Sequence, residues 1–170
     1  MIPLKDDNPV RITPFVSYSF MALCILVWLW QFSLGPQSGQ LAIYAYGFIP
    51  GVLFGTSTLP PELALIPPGA TIFTSMFMHG GWMHLIGNMV YLWVFADNIE
   101  ESMGHTRFIF FYLLCGVAAA FAQALPEPGS TIPMVGASGA ISGVLGGYIL
   151  LHPKAHVHVL VPLGFYMQMV

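Results

Sequence analysis

Residues 15–32 carry no charge. As a helix this run would rise about 27 Å, close to the hydrocarbon thickness of a bilayer. A secretory signal is the competing reading, but its apolar core is usually shorter, and no small-x-small cleavage site follows. The run therefore predicts a retained membrane span. Apolar stretches at about 73–98, 108–125 and 134–152 predict three more, and the apolar residues after Lys154 read as the opening of a fifth that stops before it could cross. Composition removes the soluble alternative. Only 6% of the residues are charged and 56% are hydrophobic, with a mean hydropathy of +0.77, whereas a soluble domain carries roughly 25% charged residues. The expected fold is an all-α, polytopic transmembrane helix bundle of four spans plus the start of a fifth. Residues 1–14 form a polar cytoplasmic segment, and 15–170 form one membrane domain, incomplete at its C-terminus.

The connections orient the bundle. Lys5 and Arg11 precede the first span, Arg107 joins the second and third, and Lys154 follows the fourth, whereas 33–72 and 126–133 contain no Lys or Arg. With four spans this alternation obeys the positive-inside rule at every turn and places the N-terminus in the cytoplasm. The long connection 33–72 is rich in Pro and Gly yet apolar and aromatic (Tyr44, Tyr46, Phe48, Phe54), as expected of a segment lying in the membrane interface rather than a flexible linker. No basic patch suggests nucleic acid. Cys24 and Cys115 both fall inside apolar runs and suggest neither a disulfide framework nor a metal site.

Chemistry concentrates in two places. Pro133 predicts a helix beginning at or just after it, so Ser138 stands in or near a first turn whose N–H groups have no intrahelical acceptor. A hydroxyl beside free donors is half of an acyl-transfer site. The competing reading is packing: Gly139, Gly143 and Gly147 recur every four residues, as do Ser138, Ser142 and Gly146, and small residues at that spacing let membrane helices approach closely. The soluble nucleophile-elbow motif is excluded, because Ala140 stands at its last glycine position and no strand precedes. His84 and Asn88, four apart, share one face of the second span, where polar groups are costly and mark either function or interhelical hydrogen bonds. They lack the third ligand that zinc requires. Spacing alone casts His84 as a general base for Ser138.

The segment Met78-His79-Gly80-Gly81-Trp82-Met83-His84-Leu85-Ile86-Gly87-Asn88, taken with Gly136-Ala137-Ser138-Gly139, resembles the rhomboid family of intramembrane serine proteases. Glu100 and Gly104 match a further motif of that family, and the aromatic connection resembles its half-embedded first loop. The resemblance implies Ser138 as nucleophile on a peptide carbonyl in a client transmembrane segment. It assigns His84 and Asn88, with the Ser138 N–H, to the oxyanion, in place of a base role for His84. Gly136 and Gly139 would allow close backbone approach, and His79 would support the polar network. No metal or organic cofactor is implied. Two departures stand out. The family draws its general base from a histidine on a later span, and nothing within these residues substitutes for it, so the chain by itself is expected to be inactive. Ala70-Thr71 stand where many relatives carry Trp-Arg, which leaves the loop's anchoring open.

The leading expectation is thus a serine endopeptidase, active in its intact form, that cuts single-span membrane proteins near the outer face of a prokaryotic cytoplasmic membrane. The alternative is a catalytically inactive relative that binds membrane clients. A channel would need polar residues along a whole path, and here they gather in the outer half.

Overall fold

The computed structural model describes residues 2–163 and 166–169. The chain is mostly helical. Its elements are β1 (Ile2–Asp6), α1 (Phe15–Ser33), α2 (Gly35–Tyr46), α3 (Pro50–Leu53), α4 (Pro68–Thr74), α5 (Trp82–Met103), α6 (His105–Ala124), α7 (Ser138–Leu151), β2 (Val157–Leu163) and β3 (Tyr166–Met169). Among the described residues, α1 and α6 are long and apolar enough to cross a bilayer, and α7 is apolar but shorter. At 14 residues, α7 rises only about 21 Å. Large apolar side chains point outward from these helices, among them Leu26, Phe110, Leu114 and Leu150. A lipid-facing surface has that character, because lipid gives no reason to hide Leu or Phe.

The core lies where α1, α5, α6 and α7 meet. Leu92 and Ile99 of α5, Phe108 and Tyr112 of α6, and Val144 of α7 are fully enclosed, and Phe20 of α1 stacks on Tyr112 with ring centroids 4.4 Å apart. The small-residue stripe of α7 does pack. A Cβ at Gly139 would lie 2.6 Å from the Ala119 methyl, and one at Gly143 would fall on the Cys115 side chain, so α6 sits directly against these glycines. Gly146 has open space beside it and takes no part in the contact.

Both ends of the bundle are tied. At one end Glu100 is fully buried and accepts from the Val16 N–H (3.0 Å), the Ser17 N–H (2.7 Å) and the Ser17 hydroxyl (2.6 Å), with His105 Nδ1 at 2.6 Å. Gly104, at φ 78°, makes the turn from α5 into α6. At the other end, the connection after α1 folds over the α6–α7 link. Phe48 and Met134 exchange backbone hydrogen bonds (3.0 and 2.7 Å), the Gly51 N–H reaches Ser130 O (2.8 Å), and the Thr74 hydroxyl reaches Tyr46 O (2.6 Å). These bonds anchor the loop that lacks the Trp-Arg pair. Buried Phe48, Ile72, Met76, Ala120 and Ala124 form a small second core beneath it.

Three expected boundaries differ. The second long helix, expected from 73, begins as α5 at Trp82, because α4 ends at Thr74 and the Gly80-Gly81 pair lets the chain turn in a new direction. The fourth, expected from 134, begins at Ser138, since Gly136 at φ 119° cannot belong to a right-handed helix. The apolar residues after Lys154, expected to open a fifth helical span, instead form β2, antiparallel to β1 with Lys5 opposite His158 and Asp6 opposite Val157. The physical reason is visible in Val157-His158-Val159-Leu160-Val161: β-branched residues favour extended backbone, and a partner edge in β1 lies within reach. Part of the expected fifth span, Gly164, Phe165 and Val170, lies outside the described residues.

Candidate active site

The end of the bundle away from Glu100 gathers the polar residues singled out by sequence. Ser138 is the first residue of α7 and is exposed. Its backbone approach is bent by Gly136, whose N–H donates to Ser75 O at 2.8 Å. Against that bend stand two side chains of α5. A Cβ at Gly136 would lie 2.6 Å from both Cε1 and Nε2 of His84 and 3.5 Å from Asn88 Nδ2. Ser138 is only two residues farther on, at most about 7 Å of chain. His84, Asn88, Gly136 and Ser138 therefore share one neighbourhood, as their motifs suggest.

Hydrogen bonding fixes what each group can offer. The Gly80 N–H points at His84 Nδ1 (3.4 Å), which makes Nδ1 the acceptor and leaves the proton on Nε2, the nitrogen facing Gly136. His79 is fully buried; its Nδ1 lies 3.2 Å from Phe77 O, a pure acceptor, so Nδ1 carries the proton. Nε2 of His79 then accepts from Asn88 Nδ2 at 3.0 Å. An amide nitrogen has two hydrogens. One of Asn88's is taken by His79, and the other remains on the side of Gly136.

Beside this turn lies a cavity of about 430 Å³, lined by Ser138, Gly136, Gly139, Ala140 and, from the folded-over connection, Phe48, Ser75 and Met76. Gln123 and Glu127 contribute its polar rim. His84 and Asn88 reach Gly136 from the α5 side and do not line this cavity. Among the described residues, no imidazole or carboxylate is hydrogen-bonded to the Ser138 hydroxyl. His152 stands at the opposite end of α7, held by Asn8 (3.0 Å) and Ser102 (3.3 Å). The described arrangement thus offers oriented N–H donors and an exposed hydroxyl.

Two participants escape the motifs. Ser75 acts through its carbonyl, which any residue could supply, so sequence carries no signal for it. Gln31 of α1 is buried and bonds the backbone of His79 at two points, accepting from its N–H at Oε1 (3.1 Å) and donating from Nε2 to its carbonyl (3.0 Å). Its signal was available: a carboxamide in an otherwise apolar run is costly unless it has a partner.

A family model described as the Rhomboid domain matches residues 69–170. The Rhomboid protease GluP of Bacillus subtilis (strain 168) is 30% identical over 138 residues, covering 80% of this chain and 24% of that protein. Rhomboid-like protease 5 of Toxoplasma gondii is 32% identical over 94 residues, 53% of this chain and 10% of its own length. The Presenilin-associated rhomboid-like protein A, mitochondrial, of Danio rerio is 34% identical over 83 residues, 48% of this chain and 22% of its own. The chain spans a quarter or less of the length of these relatives. A family model over more than half of the chain, on the same residues that carry the site, leads to one conclusion: the chain belongs to the rhomboid family of membrane-embedded proteins.

Proposed function

We propose that the intact protein is an intramembrane serine endopeptidase that cuts transmembrane segments of single-span membrane proteins near the outer face of the bilayer. In this reading residues 15–170 are one membrane domain, with α1, α5, α6 and α7 as its spans and residues 1–14 in the cytoplasm of a prokaryotic cell. The observation that carries it is the convergence of His84 and Asn88 on the Gly136–Ser138 turn. Supporting the orientation, Lys5, Arg11, Arg107 and Lys154 all belong to the Glu100 end, opposite Ser138.

The chemistry follows from the donors. Ser138 Oγ attacks the peptide carbonyl carbon, its proton passes to a base, and the carbonyl oxygen becomes an oxyanion. In this reading Nε2–H of His84, the free Nδ2–H of Asn88 and the backbone N–H of Ser138 would receive that charge. Such donors in a low-dielectric site stabilise the developing anion far more than water-exposed donors would. Among the described residues, no imidazole or carboxylate is hydrogen-bonded to the Ser138 hydroxyl to serve as that base. The relatives include proteins named as proteases and one named only as rhomboid-like, so an inactive client-binding protein is the second reading, favoured by the unbonded Ser138 hydroxyl among the described residues.

One experiment separates the two. Incubating the intact protein in liposomes with a fluorophosphonate should give a covalent adduct, mapped by mass spectrometry to the peptide containing Ser138. An intact protein that stays unlabelled, or labels at another serine, defeats the peptidase reading. A companion prediction concerns Gly136. Its φ of 119° suits glycine alone, and a methyl there would collide with the His84 ring. With strain of about 1–3 kcal/mol, Gly136→Ala should slow labelling by about five- to 150-fold, measured as a time course; a rate within twofold of wild type would contradict it.

A further inference from the structure

The least explained buried polar contact is the one made by Gln31. It lies in the last turn and a half of α1, 3% exposed, in a helix otherwise built to face lipid or core. Its partner is not a side chain but the backbone of His79, engaged on both sides of its Cα: the His79 N–H donates to Oε1 at 3.1 Å, and Nε2–H donates to the His79 carbonyl at 3.0 Å. A helix seeking only adhesion could bond any polar group nearby. A two-point clamp on the N–H and the C=O of one residue fixes the two peptide groups that flank its Cα and, with them, the direction of the attached side chain.

That direction matters because of what the His79 ring touches. The ring is held by Phe77 O at Nδ1 and takes one Asn88 N–H at Nε2. Gly80 and Gly81 follow immediately, so the local chain has little stiffness of its own. We infer that Gln31 is a positioning residue: by clamping the backbone N–H and C=O of His79, it sets the ring that orients the Asn88 carboxamide and turns the second Nδ2–H toward the Gly136–Ser138 backbone. Gln31 touches neither substrate nor Ser138. Its effect runs through three hydrogen bonds, from α1 to the loop to α5. The inference rests on the peptidase reading only for its catalytic consequence; the orientation of Asn88 is a separate, measurable matter.

The test uses the intact protein with Gln31→Leu, which keeps the size and removes both polar atoms. The side-chain amide signals of Asn88, identified by their loss in Asn88→Ala, should move in Gln31→Leu, while those of Asn98 at the far end should stay. Cleavage of a single-span reporter in liposomes should show kcat lowered by about tenfold, part of what a lost oxyanion donor costs, with KM within twofold. Gln31→Glu provides the control for a variant that folds poorly. Its protonated form has one donor and one acceptor, matching the clamp, whereas its ionised form has no donor for the His79 carbonyl. Its kcat relative to wild type should therefore rise as pH falls. Unmoved Asn88 signals, an unchanged kcat in Gln31→Leu, or a flat relative profile for Gln31→Glu overturns the inference. If the wild type neither labels nor cleaves, the peptidase reading fails by itself, and the Asn88 signals still decide the clamp.

Discussion

Ser138→Ala is expected to remove proteolysis to background, whereas His84→Ala and Asn88→Ala each lower kcat by about 10²–10³ and leave measurable cleavage. The difference in scale separates the two roles open to His84. A general base acts as a unit with its nucleophile, so losing either one costs about as much as losing both. An oxyanion donor contributes roughly 2.7–4 kcal/mol to the transition state and leaves the attack itself possible. The structure favours the donor: the Gly80 N–H occupies His84 Nδ1, and the proton on Nε2 faces the backbone turn before Ser138. A nitrogen that presents a proton cannot accept one from Ser138. Because His84 and Asn88 would serve a single oxyanion, the double variant should lose less than the product of the two single losses. Cleavage of a reporter in liposomes, followed over five orders of magnitude in enzyme concentration and time, reads the whole series. A His84→Ala protein as dead as Ser138→Ala would reassign His84 as the base.

How much of this was legible beforehand varies with the physics behind each feature. The bounds of the first helix are legible almost to the residue, because bilayer thickness favours one length and residues 15–32 contain nothing that competes. Ser138 was placed near the start of its helix for a partly wrong reason. Pro133 permits a helix to start, but Gly136 decides where it does, through a φ that depends on Ser75 O and the His84 ring. Neither contact is local. The segment from Phe73 to Trp82 misled for the opposite reason: hydropathy runs unbroken through α4, the turn and α5, and only the glycine pair hints that the direction changes. Residues 156–159 alternate His with Val, but Leu160 and Val161 break the alternation, so in a chain this apolar the run reads as the opening of a helical span rather than as a strand. The site residues were found by motif and resemblance, but their hydrogen-bond states were not, since a tautomer is set by partners such as Phe77 O and the Gly80 N–H. Gln31 shows the limit most plainly. Its partners are the backbone N–H and C=O of a residue 48 positions away, and backbone groups look alike in every sequence.

Glu100→Ala should be the most destabilising single change at the opposite end of the bundle. Glu100 is 0% exposed, and its two carboxylate oxygens accept from two backbone N–H groups, one hydroxyl and one imidazole. The N–H groups of Val16 and Ser17 belong to the first turn of α1, where no intrahelical carbonyl is available. Glu100 is therefore a cap supplied in trans, and it joins α1 to the α5–α6 corner. Removing it strands buried donors as well as deleting a charge-assisted contact, and the loss should reach about 3–5 kcal/mol, the range for breaking a buried pair from one side. Against a typical total of about 5–15 kcal/mol, that is enough to threaten folding. Gln offers no rescue, because its NH2 would face the same donors that the lost oxygen satisfied. His105→Ala should cost less, about 1 kcal/mol, since that imidazole is 37% exposed and water can replace it. Heating the purified proteins in detergent and following loss of helix by circular dichroism orders the three variants. If Glu100→Ala melted no lower than His105→Ala, the carboxylate would not be the tie that holds this end together, and the sharing of its oxygens among α1 and α6 would be incidental to stability.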